Sequence, residues 1–246
     1  MRRRSKQQLL DLGRYSLDKH RGGRPRGTDP RIRHRRRVAF PETHPCHVTR
    51  KVRRGIPSLR KWKVVREIER TFRIACSRKD FRLVEYSIQN DHAHLIVEAD
   101  NRKALASGMK SIAGRFAFAV NRALGRSTGK VLADRYHLRV LPTPREVRNG
   151  LAYVLLNARR HAAKRIARLR KRGVVVAPLP SLGILDPASS ARWFAGWIED
   201  ILLDRSPPPG LGAEPAVARA KTWLLGVGWR IHGLLDPNAI PGALKA

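Results

Sequence analysis

Two short stretches carry side chains that can do chemistry together. In SIQNDHAHLIVEA (87–99), His92 and His94 are one residue apart and run into an apolar segment. Residues i and i+2 of a strand point to the same face, and neutral imidazole is a good ligand for divalent cations. A strand here would therefore present two metal ligands side by side. A bare His-x-His is more often a packed or surface pair, so a third ligand has to separate the readings. The candidate lies in GLAYVLLNARRH (150–161), where Tyr153 and Asn157 are four residues apart and share a helical face. An amide oxygen completes the coordination of a hard cation. A phenol one turn earlier would then sit beside the ion. A cation that polarises a phosphate oxygen next to a phenolate is a workable phosphoryl-transfer site. On periodicity alone, YVLLN also reads as an ordinary helix with Tyr153 at its edge.

The surrounding pattern supplies elements that could position these residues. HPCHVTRKV (44–52) reads as a strand, and SLRKWKVVREIERTFRIACS (58–77) as an amphipathic helix with Trp62, Val65, Ile68, Phe72 and Ala75 on one face. FRLVEYSIQ (81–89) and HAHLIVEA (92–99) read as strands of an antiparallel hairpin across the turn-prone Asn90–Asp91. Residues 101–124 carry a helical stripe, 129–143 a strand or two short strands, and 144–172 a long helical pattern with its break expected at Gly150. The order β-α-β-β-α-β is that of a ferredoxin-like α+β fold: an antiparallel sheet with helices on one face. Three regions are expected: a basic, disordered arm over 1–43, a domain over 44–172, and a helical C-terminal extension over 173–246 with helices at 191–203 and 216–235.

Charge narrows the partner. The 246 residues hold 52 Lys and Arg against 19 Asp and Glu, a formal net of +33, and a field of that sign attracts polyanions. Residues 1–54 alone carry 18 basic and 4 acidic side chains, too polar a mixture to fold unaided. No apolar run reaches membrane-spanning length, and the basic N-terminus has no apolar segment behind it to make a secretory signal. Two cysteines, Cys46 and Cys76, form no CxxC pair and fit a reducing cytosol.

NDHAHLIVEA, then a helix, then DRYHLRVL, then LAYVLLNARRH resembles the single-tyrosine HUH transposases, in particular the REP-associated tyrosine transposases, over about residues 44–165. HUH denotes His–hydrophobic–His, here His92–Ala93–His94. The resemblance implies a ferredoxin-like core with the histidine pair on its sheet. It makes His92 and His94 metal ligands, Tyr153 the nucleophile and Asn157 the third ligand. It implies a Mg2+ or Mn2+ cofactor and single-stranded DNA with hairpin or palindromic elements as substrate. Cleavage would leave a 5′-phosphotyrosine and a free 3′-OH, by a monomer or homodimer associated with the bacterial nucleoid. A hairpin-binding regulator of the same fold, without the chemistry, is the alternative. One departure is Ala158, where many relatives carry proline after the asparagine.

Other residues take lesser roles. Residues 158–172 hold eight Lys and Arg and no acid, so Arg159, Arg160, Lys164, Arg165 and Arg168, with Arg139, are expected to hold DNA. His161, one turn past Asn157, is read as solvent-facing rather than as a further ligand. Tyr136 is a rival nucleophile with no amide four residues on. Tyr86 reads as a packed strand residue. Gln89 and Asn90 could orient the histidines, and Glu98 is a weak metal candidate. His44, Cys46 and His47 lack the second ligand pair of a zinc site. Trp223 and Trp229 read as core rather than as base-stacking residues.

Overall fold

The structure, a computed structural model, describes residues 44–179, 185–198 and 203–242. The expected basic arm lies outside the described residues. Its core is β1 (Cys46–Lys51), α1 (Trp62–Ala75), β2 (Ser77–Arg78), β3 (Phe81–Ile88), β4 (His92–Ala99), α2 (Arg102–Ala123) and β5 (His137–Val140). Then come α3 (Pro144–Leu155) and α4 (Asn157–Arg170). The sheet order is β2-β3-β4-β1-β5 and every pairing is antiparallel. Leaving out the two-residue β2, this is the ferredoxin-like order, with the β3–β4 hairpin packed beside the central β1.

Alternation along β4 divides the sheet into two faces. Ala93, Leu95, Val97 and Ala99 join Val48, Phe72, Met109 and Phe116 in the core beneath α1 and α2. These are the two helices expected on one face. Gly108 lets α2 close on this core, because a Cβ there would meet the Phe81 ring at 2.2 Å. The opposite face carries His92, His94, Ile96 and Glu98, and it too is covered by a helix. Ile96 packs with Val147, Leu151 and Val154 of α3.

α3 is well determined locally. Thr143 caps it by accepting from the Glu146 N–H at 3.2 Å, while the Thr143 hydroxyl donates to the Glu146 carboxylate at 3.1 Å, with Pro144 in the first turn. The expected break at Gly150 is not there. Gly150 is buried inside α3, where a Cβ would come within 3.0 Å of Leu141, so its missing side chain serves close packing on the sheet. The irregularity falls at Leu156 (φ −102°, ψ 15°), which ends α3 and leads into α4.

The C-terminal region is less helical than expected. Its described regular segments are 3-10 turns at Ser190–Trp193 and Gly228–His232 and the four-residue α5 (Trp223–Gly226); residues 199–202 of the expected 191–203 helix lie outside the described residues. The proline- and glycine-rich chain instead packs as irregular structure against the domain. It bonds to the part of β3 that β2 leaves unpaired, through Ile88 N–H to Ala188 O, Tyr86 N–H to Ser190 Oγ and Ala218 N–H to Leu83 O, all at 2.8 Å. This closes an otherwise open sheet edge. Arg192 reaches the buried Glu69 of α1 at 2.6 Å, and the Tyr86 hydroxyl donates to the same carboxylate at 3.0 Å.

Candidate active site

β4 presents His92 and His94 on the face covered by α3, as the period-two pattern requires. Their Nε2 atoms are 3.0 Å apart. Each ring also has a partner at Nδ1. His92 Nδ1 lies 2.7 Å from Asp91 Oδ1. His94 Nδ1 lies 3.1 Å from His47 Nε2 and 3.2 Å from Thr49 Oγ1. His47 and Thr49 come from β1, whose register sets Thr49 opposite His94 and His47 opposite Ile96.

The helices bring the second stretch over the first. The Tyr153 ring is 5.0 Å from that of His94 and 5.6 Å from that of His47. Eight residues on, the His161 ring is 6.4 Å from that of His92. Asn157 sits between these two contacts, fully buried. Its amide nitrogen donates to Tyr153 O at 3.2 Å, and its Oδ1 has no hydrogen-bond partner. The Arg160 guanidinium lies 5.1 Å from the centre of the Tyr153 ring.

The electrostatics keep the imidazoles ready to ligate. Burial, with His47 and His92 nearby, pulls His94 down to about 3. Burial, helped by His137 and Arg139, pulls His47 down to about 4. Both are neutral at ordinary pH, the form with a lone pair to give. Burial and then His92 also lower His161.

These residues fit a divalent cation. Two nitrogen ligands at about 2.1 Å from one ion and at right angles to each other are about 3.0 Å apart, which is the Nε2 separation. A buried amide oxygen without a partner is costly unless something takes its lone pair. Among the described residues no three His, Cys, Asp or Glu side chains are grouped to hold a metal. The histidine pair therefore needs a third ligand of another kind, and Asn157 has the spare oxygen.

The lesser candidates sort clearly. Tyr136 packs against the α1–α2 core, on the far side of the sheet. Tyr86 is buried, and its hydroxyl is pushed well up by burial and Glu69. Glu98 accepts from the Lys221 and Thr222 backbone N–H groups and the Thr222 hydroxyl at 2.7–2.9 Å, so it anchors the tail. Gln89 donates to Ser87 and Asn90 accepts from Ser58; the residue that holds His92 is Asp91. Trp229 is buried and stacks on Phe194, whereas Trp223 is 61% exposed, against the expectation of core. His161, read as solvent-facing, is exposed yet stands beside the pair. His47, which makes no zinc site with its neighbours in sequence, is at the centre of the cluster. Nothing local in HPCHV indicates this, because the contact depends on the pairing of β1 with β4.

The expected DNA-holding residues divide into three groups. Arg139 lies on β5 opposite His47 and pairs with Glu146 at 3.0 Å. Arg159 and Arg160 donate to tail carbonyls, of Asn238 at 2.8 Å and of Pro241 at 3.1 Å. Lys164, Arg165 and Arg168 are exposed and line a cleft of about 850 Å³ that also borders His92, Asp91 and His161.

Fold and site together define a class, a ferredoxin-like α+β domain that sets paired histidines on a sheet against a helical tyrosine. The sequence of that domain carries a matching signal: residues 44–140 match the family model described as transposase, IS200-like. The match includes His47, His92 and His94 and ends before Tyr153. Among solved structures, a REP-associated tyrosine transposase bound to a REP hairpin is similar at 15% identity and TM-score 0.43, over 63% of this chain and 98% of that one. A protein from Deinococcus radiodurans R1 described as a transposase is similar at 14% identity and TM-score 0.35, over 59% and 99%. No curated protein matches the chain. No helix among the described residues is long and apolar enough to cross a membrane.

Proposed function

We propose that this chain is a metal-dependent, single-tyrosine endonuclease and strand transferase acting on single-stranded DNA near hairpins. The observation that carries the reading is the pairing of His92 with His94 against the Tyr153 ring, with the buried Asn157 oxygen, one turn after Tyr153, left unpartnered. A Mg2+ or Mn2+ ion held by His92, His94 and Asn157 would supply Lewis-acid polarisation of the scissile phosphate. Tyr153 is the nucleophile. Its phenolic oxygen, freed of its proton, bonds to phosphorus as the bond to the 3′ oxygen breaks. The 3′ oxygen takes up a proton, leaving a 5′-phosphotyrosine and a free 3′-OH. The phosphodiester energy is kept in the protein–DNA bond, so attack by another 3′-OH rejoins a strand without ATP. Arg160, over the Tyr153 ring, stabilises a developing phenolate. The excess of basic residues supplies affinity for the phosphate backbone, with Lys164, Arg165 and Arg168 in the cleft beside the histidines.

The test uses end-labelled single-stranded oligonucleotides carrying palindromes from DNA flanking the gene. They are incubated with Mg2+ or Mn2+ and run on a denaturing gel. A metal-dependent covalent protein–DNA band, absent in Tyr153→Phe, is expected. Tight hairpin binding with no adduct under either metal would sink the reading in favour of a hairpin-binding regulator.

A further inference from the structure

The contacts at the histidine pair form part of a longer chain. It runs from Asp91 Oδ1 to His92 Nδ1 at 2.7 Å, from His92 Nε2 to His94 Nε2 at 3.0 Å, and from His94 Nδ1 to His47 Nε2 at 3.1 Å. Thr49 Oγ1 lies 3.2 Å from the same His94 nitrogen. The proton positions along it are constrained. A carboxylate only accepts, so with a single proton on each ring His92 carries its own on Nδ1 and its Nε2 is bare. The Nε2–Nε2 contact is then a hydrogen bond only when His94 is protonated on Nε2. That leaves His94 Nδ1 bare, accepting from His47 Nε2–H and the Thr49 hydroxyl.

A cation between the two rings reverses this pattern, because it needs a lone pair from each Nε2. His92 already offers one. His94 must carry its proton on Nδ1 instead, and that N–H needs an acceptor. Thr49 Oγ1 can accept it, and His47 Nε2 becomes the nearer acceptor once the His47 proton has moved to its own Nδ1. Every ring keeps one proton in both patterns, so the change is a tautomer shift with no net proton released. Partners of this kind fix which nitrogen of a histidine is free to bind metal.

We infer that His47 is a positioning residue for the metal site: it is the tautomer partner that lets His94 offer Nε2 to a cation. The inference rests on the reading of His92 and His94 as ligands. It gives β1 a part in a site whose sequence pattern lies on β4 and the α3–α4 junction.

The test uses the full chain labelled with 15N-histidine. Two-bond 15N–1H ring correlations, assigned with single-histidine variants, report each tautomer with and without saturating Mg2+. On adding Mg2+, His94 is expected to change from Nε2–H to Nδ1–H, and His47 from Nε2–H to Nδ1–H. Mn2+ affinity, read by the electron paramagnetic resonance of the free ion, gives a second measure. His47→Phe should weaken it by about 10–100-fold, as loss of a ligand's hydrogen-bond partner does. His47→Gln, whose amide oxygen accepts from His94 Nδ1–H, should restore it to within a few-fold. The inference is overturned if His92 and His94 respond to Mg2+ while the His47 tautomer stays fixed and His47→Phe binds Mn2+ as the parent does. Failure of the underlying reading looks different: no ring responds to Mg2+, and His92→Ala and His94→Ala leave Mn2+ binding unchanged.

Discussion

Asn157 donates its amide N–H to the Tyr153 carbonyl at 3.2 Å and keeps its amide oxygen, buried, without a partner. Such an oxygen destabilises the protein by about 1–3 kcal/mol, while the hydrogen bond on the other side of the amide contributes only about 0.5–1.5. Asn157→Leu removes both, at similar volume. Its metal-free stability is therefore expected within about 1 kcal/mol of the parent, with Mn2+ affinity largely lost. Asn157→Asp should behave in the opposite way. A buried carboxylate without a partner lowers the melting temperature, and saturating Mn2+ should raise it by more than it raises the parent's. Thermal unfolding with and without Mn2+ checks both. An Asn157→Leu protein that bound Mn2+ normally would remove Asn157 from the ligand set.

The pH dependence of stability joins two opposing groups. His94 and His47 are held down at about 3 and about 4 against an ordinary 6.5. The unfolded chain therefore binds more protons below 6.5, and the stability these rings allow is present above that pH and lost as pH falls toward 4. Glu85, buried and accepting from the Ser190 hydroxyl at 2.5 Å, is pushed by burial from 4.5 up to about 8. Its contribution is complete below 4.5 and disappears as pH rises through 8. In metal-free urea unfolding, the midpoint should fall on the acid side of about pH 6.5 and again toward pH 8. Glu85→Gln stays neutral, so its midpoint relative to the parent should improve steadily from pH 5 to 8. A constant difference would mean that Glu85 is ionised in the folded protein.

How much of this is legible in the sequence depends on how local each signal is. His92 with His94, and Tyr153 with Asn157, stand out because both partners lie on one element at that element's own period. The sheet order follows from the sequence of elements and the Asn90–Asp91 turn. His47 and Asp91 are not legible. His47 reaches His94 only through strand pairing across 47 residues, and register is set by packing of the whole sheet. Asp91 looks like turn chemistry, which it also is. The tail misleads because its apolar residues, Trp197, Leu224 and Trp229 among them, bury against α3 from irregular chain and single turns and mimic a helical stripe.

Two glycines of α2 should respond oppositely to alanine. At Gly114 a Cβ would meet nothing within 4 Å, whereas at Gly108 it would fall 2.2 Å from the Phe81 ring. Gly114→Ala is expected to stabilise the protein by about 0.5–1 kcal/mol through helix propensity alone. Gly108→Ala forces the Phe81 ring or the helix to move and should destabilise by about 1–3 kcal/mol. Urea unfolding of the two variants measures this. Equal effects would mean that α2 does not pack on β3 at the closeness described.

The basic residues of α4 should differ in what they give to DNA binding. Arg159 and Arg160 donate to the carbonyls of Asn238 and Pro241, whereas Lys164, Arg165 and Arg168 are exposed along the cleft next to His92. A cation that neutralises a phosphate releases condensed counterions. Each phosphate left without its cation therefore flattens the dependence of log K on log salt by about 0.7 for single strands and about 0.9 for duplex. Replacing Lys164, Arg165 and Arg168 together by glutamine should lower hairpin affinity and reduce the slope by about 2–3. Replacing Arg159 alone should reduce it by less than a single phosphate's share, since its Nε–H already donates to the Asn238 carbonyl. Fluorescence anisotropy of a labelled hairpin, titrated at about five salt concentrations from roughly 50 to 300 mM, distinguishes the two. If the triple variant keeps the parent's slope, the DNA backbone does not follow this cleft, and the charge that holds it lies elsewhere on the chain.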